Sequence, residues 1–489
     1  MMKARVEGKK LFFWEYTEKE LEKVQKLLSW SGNEYVDPET LLLRTDEGQP
    51  YTFWGLHSII AQQVNLEVSG LSSDISYAPY KVPDDYLPGI SLYDFQHAAI
   101  QKGLKFKTGI IEIPTGGGKT ECILAILKAL FDQGKIHKAV IVVPSIGLVK
   151  QFYRRSLLRG FPLGMVGRVH GGLRELDCPI TVGVVNSLNQ GYHESAKVKE
   201  LIEEADVVIE DECQHSKART HMELILGAKN ASYSLFFSGT PFRSEDILDD
   251  AGDSLTYGLS GGTIFSIPLQ YLVSRGIVAE PIVYFKSLPG IMSKFPGKYH
   301  RIYRSGVAEG AVRNQSIADF ERKFREIGFP TLILTKLKDH SQEILRRTEN
   351  PRAIYISGGA NATLFSGEEF TVDYDVFAEE FEMGNYDTLI ATPVFDEGMD
   401  LPSVQAFINA AGERSYIKQC QRLGRAIRKK FDGINRVYIV DFVDRSHVWL
   451  YAQYKKRLKI YENLGLRITY DELYFNRMLH DHIEARKTT

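Results

Sequence analysis

The chain has 489 residues, with 60 Lys+Arg against 62 Asp+Glu and a formal net charge of −2. That length accommodates about three domains of roughly 150 residues, and a composition that is 44% hydrophobic and 25% charged excludes a disordered, collagen-like or disulfide-scaffold chain. No apolar run approaches the roughly 18 residues of a membrane span, Met1 to Lys10 lacks the apolar core of a secretory signal, and Cys122, Cys178, Cys213 and Cys420 form no C-x-x-C pair, so the expectation is a cytoplasmic protein in a reducing compartment with no membrane partner.

Residues 1–88 predict a small α+β accessory domain: helical from Glu18 to Leu28, strand-like at Thr40 to Arg44 and Tyr51 to Trp54, with Pro79, Pro83 and Pro88 marking a linker. From residue 109 short β-branched runs alternate with helical patterns. The predicted strands are Gly109 to Ile113, Lys138 to Val143, Thr181 to Val185, Ala205 to Glu210 and Tyr233 to Phe237, then Thr331 to Leu334, Ala353 to Ile356, Thr388 to Ala391, Ala406 to Asn409 and Val437 to Val440. Apolar runs of this length, spaced by amphipathic segments such as Thr120 to Phe131, are the mark of parallel strands buried on both faces. Two series mean two doubly wound α/β domains in tandem, placed at 89–280 and 313–455. A basic linker at 281–312, punctuated by Pro289, Gly290, Pro296 and Gly297, separates them, and 456–489 reads as a helical tail.

The segment Ile110 to Thr120 leaves a strand, passes Thr115, Gly116, Gly117 and Gly118, and enters a helix at Lys119 and Thr120. Backbone N–H groups of such a loop converge on phosphates, with Lys119 reaching the terminal phosphates of a nucleotide and the Thr120 hydroxyl on Mg2+. The first glycine of G-x-x-x-x-G-K-[ST] is replaced by Ile113. An apolar run then delivers Asp211 and Glu212 to the C-terminal edge of a neighbouring strand, where open α/β sheets bind ligands. Asp211 suits the magnesium ion and Glu212 the orientation and deprotonation of an attacking water, while strand alternation sends Glu210 to the other face.

In these motifs and their order the sequence resembles the superfamily 2 helicases and translocases across most of residues 89–445. The resemblance implies two RecA-like domains, ATP as the nucleotide, and a site in the cleft between them. Gln96, in Leu92-Tyr-Asp-Phe-Gln96, would read the adenine edge. Pro144 and Ser145 would belong to motif Ia, and Asn186 and Ser187 to the following strand-loop that touches a nucleic-acid backbone. Ser238-Gly-Thr-Pro241 is similar to motif III, residues 389–400 with Thr392, Gly398 and Asp400 to motif V, and residues 421–428 with Gln421, Arg425 and Arg428 to motif VI. Arg425 and Arg428 share a helix face, and planar guanidinium groups suit charge developing on a γ-phosphate. Gln214 stands where histidine is commoner, and can still bridge motifs II and III; Tyr93 stands where arginine is frequent.

Within the superfamily the chain looks most like UvsW-type phage recombination helicases, with RecG and XPB-like enzymes as wider relatives. The carrying stretches are the small N-terminal domain, Phe237 to Arg243, Arg313-Asn314 and Tyr355 to Gly358. The implied activity is an ATP-dependent, monomeric DNA motor that unwinds or branch-migrates forks and junctions in replication, recombination or repair. An RNA helicase, a duplex DNA translocase without strand separation, or a scaffold with a decayed ATPase are the alternatives; the last would be marked by loss of Lys119, Asp211, Glu212 or the arginines, all of which are present. Ten acidic residues between 33 and 95 against Arg44 and Lys81 leave Lys3, Arg5, Lys9 and Lys10 as the N-terminal cations for DNA. Lys298, Arg301 and Arg304, interleaved with Tyr299, His300 and Tyr303, form the stretch suited to base stacking. Net charge near zero does not oppose such a partner, because residues 413–489 hold 17 Lys+Arg against 9 Asp+Glu and the field that matters is local.

Overall fold

The computed structural model describes residues 1–30, 39–70, 80–215, 219–242, 244, 246–290, 297–358, 360–392, 401–412, 429–430 and 434–488. The chain divides into two compact units, the first of Met1–Pro114 with Gly118–Ile267 and the second of Pro268–Thr489 together with the short stretch Thr115–Gly117.

The first unit opens with β1 (Met2–Glu7) and β2 (Lys10–Glu15), joined by a tight turn in which Gly8 takes φ +59°. Glycine accepts that left-handed turn without steric cost. The short strands β3 (Ser29–Trp30) and β4 (Glu39–Thr40) pair with each other, while β5 (Leu43–Arg44), β6 (Pro50–Phe53) and β7 (Leu66–Ser69) complete a sheet of order β5-β6-β2-β1-β7. Met2, Ala4, Leu11 and Phe13 alternate inward in this sheet and share one core with Leu255 and Leu259 of the helix Ala251–Ser260. Residues 1–88 are thus built into the first unit and do not stand as a separate body.

The main sheet of this unit comprises β8 (Thr108–Glu112), β9 (Ala139–Val143), β10 (Val166–His170), β11 (Leu173–Arg174), β12 (Ile180–Val184), β13 (Val207–Asp211), β14 (Tyr233–Ser238) and β15 (Thr263–Ser266). Its order is β11-β10-β12-β9-β13-β14-β8-β15. The interior strands β9, β12, β13 and β14 are buried along their whole length, which is why they read as unbroken apolar runs. Register aligns Asp211 with Phe237 and Ser238 with Glu112, so the loops after β8, β13 and β14 leave from one edge.

The second unit holds β16 (Glu280–Ser287), β17 (Thr331–Leu334), β18 (Ala353–Ser357), β19 (Asn361–Leu364), β20 (Glu369–Thr371), β21 (Thr388–Ala391), β22 (Ala406–Asn409), β23 (Arg436–Val443) and β24 (Arg467–Thr469). Their order is β20-β19-β18-β21-β17-β22-β23-β16-β24, parallel except at β19 and β20.

Two expectations need correction here. The segment 281–312 does not begin as a linker: β16 pairs with β23 over eight residues, because Pro281 to Phe285 is a buried apolar run and Lys286 is neutralised by Glu472 at 2.8 Å. Nor is 456–489 a tail. The helix Val448–Asn463 buries Tyr461, while Glu472–Thr488 places Phe475, Met478 and Leu479 in the core under β16 and β23. Among the described residues no helix is long and apolar enough to cross a membrane.

Candidate nucleotide site and nucleic-acid surface

After β8 the chain turns through Gly116 and Gly118, at φ +90° and +80°. Gly118 is the N-cap of the helix Lys119–Asp132 and offers no side chain to its first N–H groups, which leaves them for an anion. A Cβ at Gly118 would collide with Gln96 Nε2, so the buried Gln96 amide lies directly against the loop. The Gln96 carbonyl oxygen accepts from Tyr93 N at 2.9 Å, closing the first turn of the helix Asp94–Phe106. Thr115 and Thr120 are half-buried beside the glycines, and Gly117 is buried.

Lys119 is buried with Nζ 3.6 Å from Glu212 Oε1. Asp211 ends β13 and accepts a hydrogen bond from Glu212 N at 3.0 Å. Burial, together with the neighbouring Glu212 charge, pushes the Asp211 carboxyl up to about 7. Burial acts the same way on Glu212, but Lys119, Gln214 and His215 outweigh it and hold that carboxyl below its ordinary value. Glu212 adopts φ +58°, a left-handed conformation that costs a non-glycine residue about 1–2 kcal/mol. Gln214 Nε2 donates to Glu212 Oε2 at 2.7 Å, and Gln214 Oε1 accepts from Ser238 Oγ at the end of β14. Ser238 Oγ in turn accepts from Thr240 N at 2.9 Å. Glu210 does point to the opposite face, where it is wholly buried and bonded to His221 Nδ1.

The donor set fits a divalent cation. Asp211 is a buried carboxylate beside a second one, an arrangement that disfavours its charge until a cation neutralises it, and Thr120 supplies a hydroxyl of the kind magnesium takes. One feature of the site escaped the sequence reading: Glu121 is buried and held by Arg155 at 2.5 Å and Arg159 at 3.5 Å. This ties the first turn of the phosphate-loop helix to the helix Ile146–Leu158. An acid directly after Lys119-Thr120 was the only signal of it, and its partners lie 34 or more residues on.

Pro144 and Ser145 follow β9, and Asn186 and Ser187 follow β12, which pairs with β9 in register. Ser145 Oγ caps the helix Ile146–Leu158 by accepting from Leu148 N at 3.4 Å. Asn186 is exposed, and Pro144, Ser145 and Ser187 are half-buried. In the second unit Lys298 and Arg301 are exposed.

Other expected contacts are spoken for within the fold. Arg304 is held by Asp339 at 2.6 Å and Glu309 at 3.4 Å. Tyr303 is buried, with its hydroxyl donating to Ala411 O at 2.8 Å, which removes it from the base-stacking role expected of it, while Tyr299 is half-buried under Lys336 at 5.6 Å. Thr392 is buried at the end of β21. At the N-terminus Lys3 pairs with Glu15, Arg5 with Glu7, Lys10 covers Tyr51, and Lys9 covers Phe236 with its ammonium pushed down to about 7 by burial. Gly398, Asp400, Gln421, Arg425 and Arg428, with Arg243 and Cys420, lie outside the described residues.

Residues 89–243 match the family described as Type III restriction enzyme, res subunit, and residues 317–430 match the Helicase conserved C-terminal domain. Putative helicase 22 of Sulfolobus islandicus filamentous virus is 26% identical over 474 residues, covering 92% of this chain and 81% of its own. The DNA 3'-5' translocase XPB2 of Sulfurisphaera tokodaii is 25% identical over 375 residues, covering 70% and 79%. Among solved structures, S. cerevisiae Dbp5 bound to RNA and ADP BeF3 shares the fold at a TM-score of 0.57 and 14% identity, over 84% of this chain and 98% of that one. T4 UvsW aligns over 96% of this chain and 98% of its own at 15% identity, with a TM-score of 0.45.

Proposed function

The chain belongs to superfamily 2 of the helicases and is an ATP-hydrolysing enzyme, and from that premise we propose that it uses ATP to translocate on DNA and to unwind or branch-migrate forked and junction substrates. The observation that carries the reading is the continuous chain Lys119, Glu212, Gln214, Ser238, which joins the phosphate loop to the acidic strand end and to the loop after β14. A decayed ATPase has no use for a buried lysine and a strained acidic residue held in this relation.

In this reading Thr115 to Thr120 cradle the triphosphate through backbone N–H groups, and Lys119 addresses its terminal phosphates. Gln96 reads the adenine edge. Thr120 and Asp211 would hold magnesium, which when bound neutralises phosphate charge. Glu212, kept ionised by Lys119 and Gln214, orients the attacking water and accepts its proton. Arg425 and Arg428 stabilise charge developing on the γ-phosphate, with Gly398, Asp400 and Gln421 assisting nucleotide binding. Pro144, Ser145, Asn186, Ser187, Lys298 and Arg301 contact the phosphate backbone, which positions a strand without reading its sequence.

DNA is favoured over RNA because the relative of 25% identity carries the printed activity of a DNA 3'-5' translocase. The branched substrate rests on the likeness of Phe237 to Arg243, Arg313-Asn314 and Tyr355 to Gly358 to phage recombination helicases. The test is ATP turnover and strand separation on a panel of fork, Holliday junction, D-loop, blunt duplex and RNA hybrid. Stimulation by forked and junction DNA, absent from Lys119→Ala, is expected. Equal or greater stimulation by RNA would overturn the substrate, and normal turnover by Lys119→Ala would overturn the site.

A further inference from the structure

Three consecutive backbone carbonyls beyond the carboxyl end of β22 are each held by a buried side chain from a different helix. Arg313 Nη1 donates to Ala410 O at 2.8 Å, Tyr303 Oη to Ala411 O at 2.8 Å, and Arg457 Nη1 to Gly412 O at 2.7 Å. These donors belong to the helices Ala311–Glu326, Tyr299–Tyr303 and Val448–Asn463. The two guanidinium groups are themselves fixed by carboxylates at the end of β23. Arg313 Nε donates to Asp444 Oδ1 at 2.9 Å, while Arg457 Nε lies 3.1 Å from both Asp441 oxygens and its Nη2 3.4 Å from Asp444 Oδ2. Asp441 also accepts from Tyr461 Oη and Asn409 Nδ2, each at 2.9 Å.

Two arginines and two aspartates cancel in charge and are all buried. Stability alone gives such a cluster little justification, since well-packed apolar residues replace buried ion networks without loss. Its distinctive product is a backbone path. Gly412 takes φ +60°, a left-handed conformation that favours glycine, and a Cβ there would touch Arg313 Nη2 at 3.4 Å and Asp444 Oδ2 at 3.5 Å in ordinary contact. From Gly412 the chain continues directly into residues 413–428, which carry Arg425 and Arg428. The site assigned above does not call on Tyr303, Arg313 or Arg457.

We propose that Tyr303, Arg313 and Arg457 are positioning residues for ATP hydrolysis. They fix the backbone of residues 410–412 and so set the point from which the segment bearing Arg425 and Arg428 departs. The inference rests on the reading of those two arginines as the groups that address the γ-phosphate. Because the effect passes through the backbone, loss of a positioning residue lowers turnover and leaves the affinity for ATP in place.

Tyr303→Phe removes a single hydroxyl, and Arg457→Lys keeps the charge while losing the fork that holds Gly412 and the aspartates together. Each full-length variant is assayed for ATP hydrolysis with forked DNA, giving kcat and KM, and for its urea unfolding midpoint. The expected result is a fall in kcat of about 10-fold or more, with KM for ATP within about 2-fold of wild type. Unchanged kcat in both variants, a rise in KM with kcat preserved, or a kcat loss that matches the loss of folded protein would overturn the proposal. Wild-type protein that hydrolyses no ATP on any DNA would instead remove the reading beneath it, and Lys119→Ala supplies the inactive reference for telling the two apart.

Discussion

Gln214 connects Glu212 to Ser238, donating to the first at 2.7 Å and accepting from the second. A glutamine makes this bridge without titrating, so its amide keeps the same donor and acceptor at every pH. Gln214→Ala is expected to lower DNA-stimulated kcat by about 10–100-fold through misplacement of Glu212. Since Ser238 acts through the same bond, adding Ser238→Ala should cost little more. Steady-state ATPase of the two single variants and the double variant measures this; independent, multiplying losses would show that the bridge carries no coupling.

Gly118 has no room for a side chain. It combines φ +80° with a Cβ direction that runs into Gln96 Nε2. Gly118→Ala therefore strains the loop by about 1–2 kcal/mol and pushes the Gln96 amide from its place. The expected phenotype is a higher KM for ATP and a reduced preference for ATP over GTP. Nucleotide competition at fixed DNA concentration reads both effects, and an unchanged ATP/GTP ratio would separate Gln96 from base recognition.

The sequence made the interior of both sheets legible. All ten predicted strands are present with shifts of no more than two residues at most ends, as with Ala205 to Glu210 against Val207–Asp211, because strands buried on both faces declare themselves as continuous apolar runs. Strands at the sheet edges or next to them were less visible. β10 contains Arg168 and His170, and β24 begins with Arg467, so neither reads as an apolar run. β1 does alternate, with Met2 and Ala4 inward and Lys3 and Arg5 outward, but the pairing of those cations with Glu15 and Glu7 was not to be read from the pattern. The phosphate loop and Asp211-Glu212 were legible because their chemistry depends on local spacing. Glu121 with Arg155, and Arg457 with Asp441 and Asp444, were not, since each joins residues that only the folded sheet brings together.

Close backbone approach fastens the N-terminal sheet to the rest of the first unit. A Cβ on Gly55 would lie 2.5 Å from Tyr257 O and 2.8 Å from Gly261 Cα, while Trp54 Nε1 donates to Leu259 O at 3.2 Å and Trp30 Nε1 to Leu248 O at 2.7 Å. Gly55→Ala must separate these backbones, a cost of about 1–3 kcal/mol by analogy with overpacked cores. The expected outcome is a lower unfolding midpoint and faster proteolysis within residues 1–88. Preserved protease resistance would mean that the sheet is held chiefly by its apolar core.

His340 sets a pH dependence for the second unit. Its ring is buried, with Nε2 2.9 Å from Asn314 Oδ1, and the Asn314 amide donates to Ala308 O at 2.8 Å. Burial, reinforced by Arg313 and partly offset by Asp339, pushes His340 down to about 3 from its ordinary 6.5. The folded pKa is the lower one, so below 6.5 the unfolded chain takes up a proton that the folded chain refuses. Stability from this group is complete above about pH 6.5 and is lost progressively as pH falls toward 3, amounting to about 2 kcal/mol by pH 5. His340→Gln keeps an amide donor for Asn314 and has no proton to bind, so its stability should fall less between pH 7 and pH 5 by that amount. Urea unfolding of wild type and variant at the two pH values, followed by a probe in the second unit, tests this; parallel losses would assign the acid sensitivity to other groups.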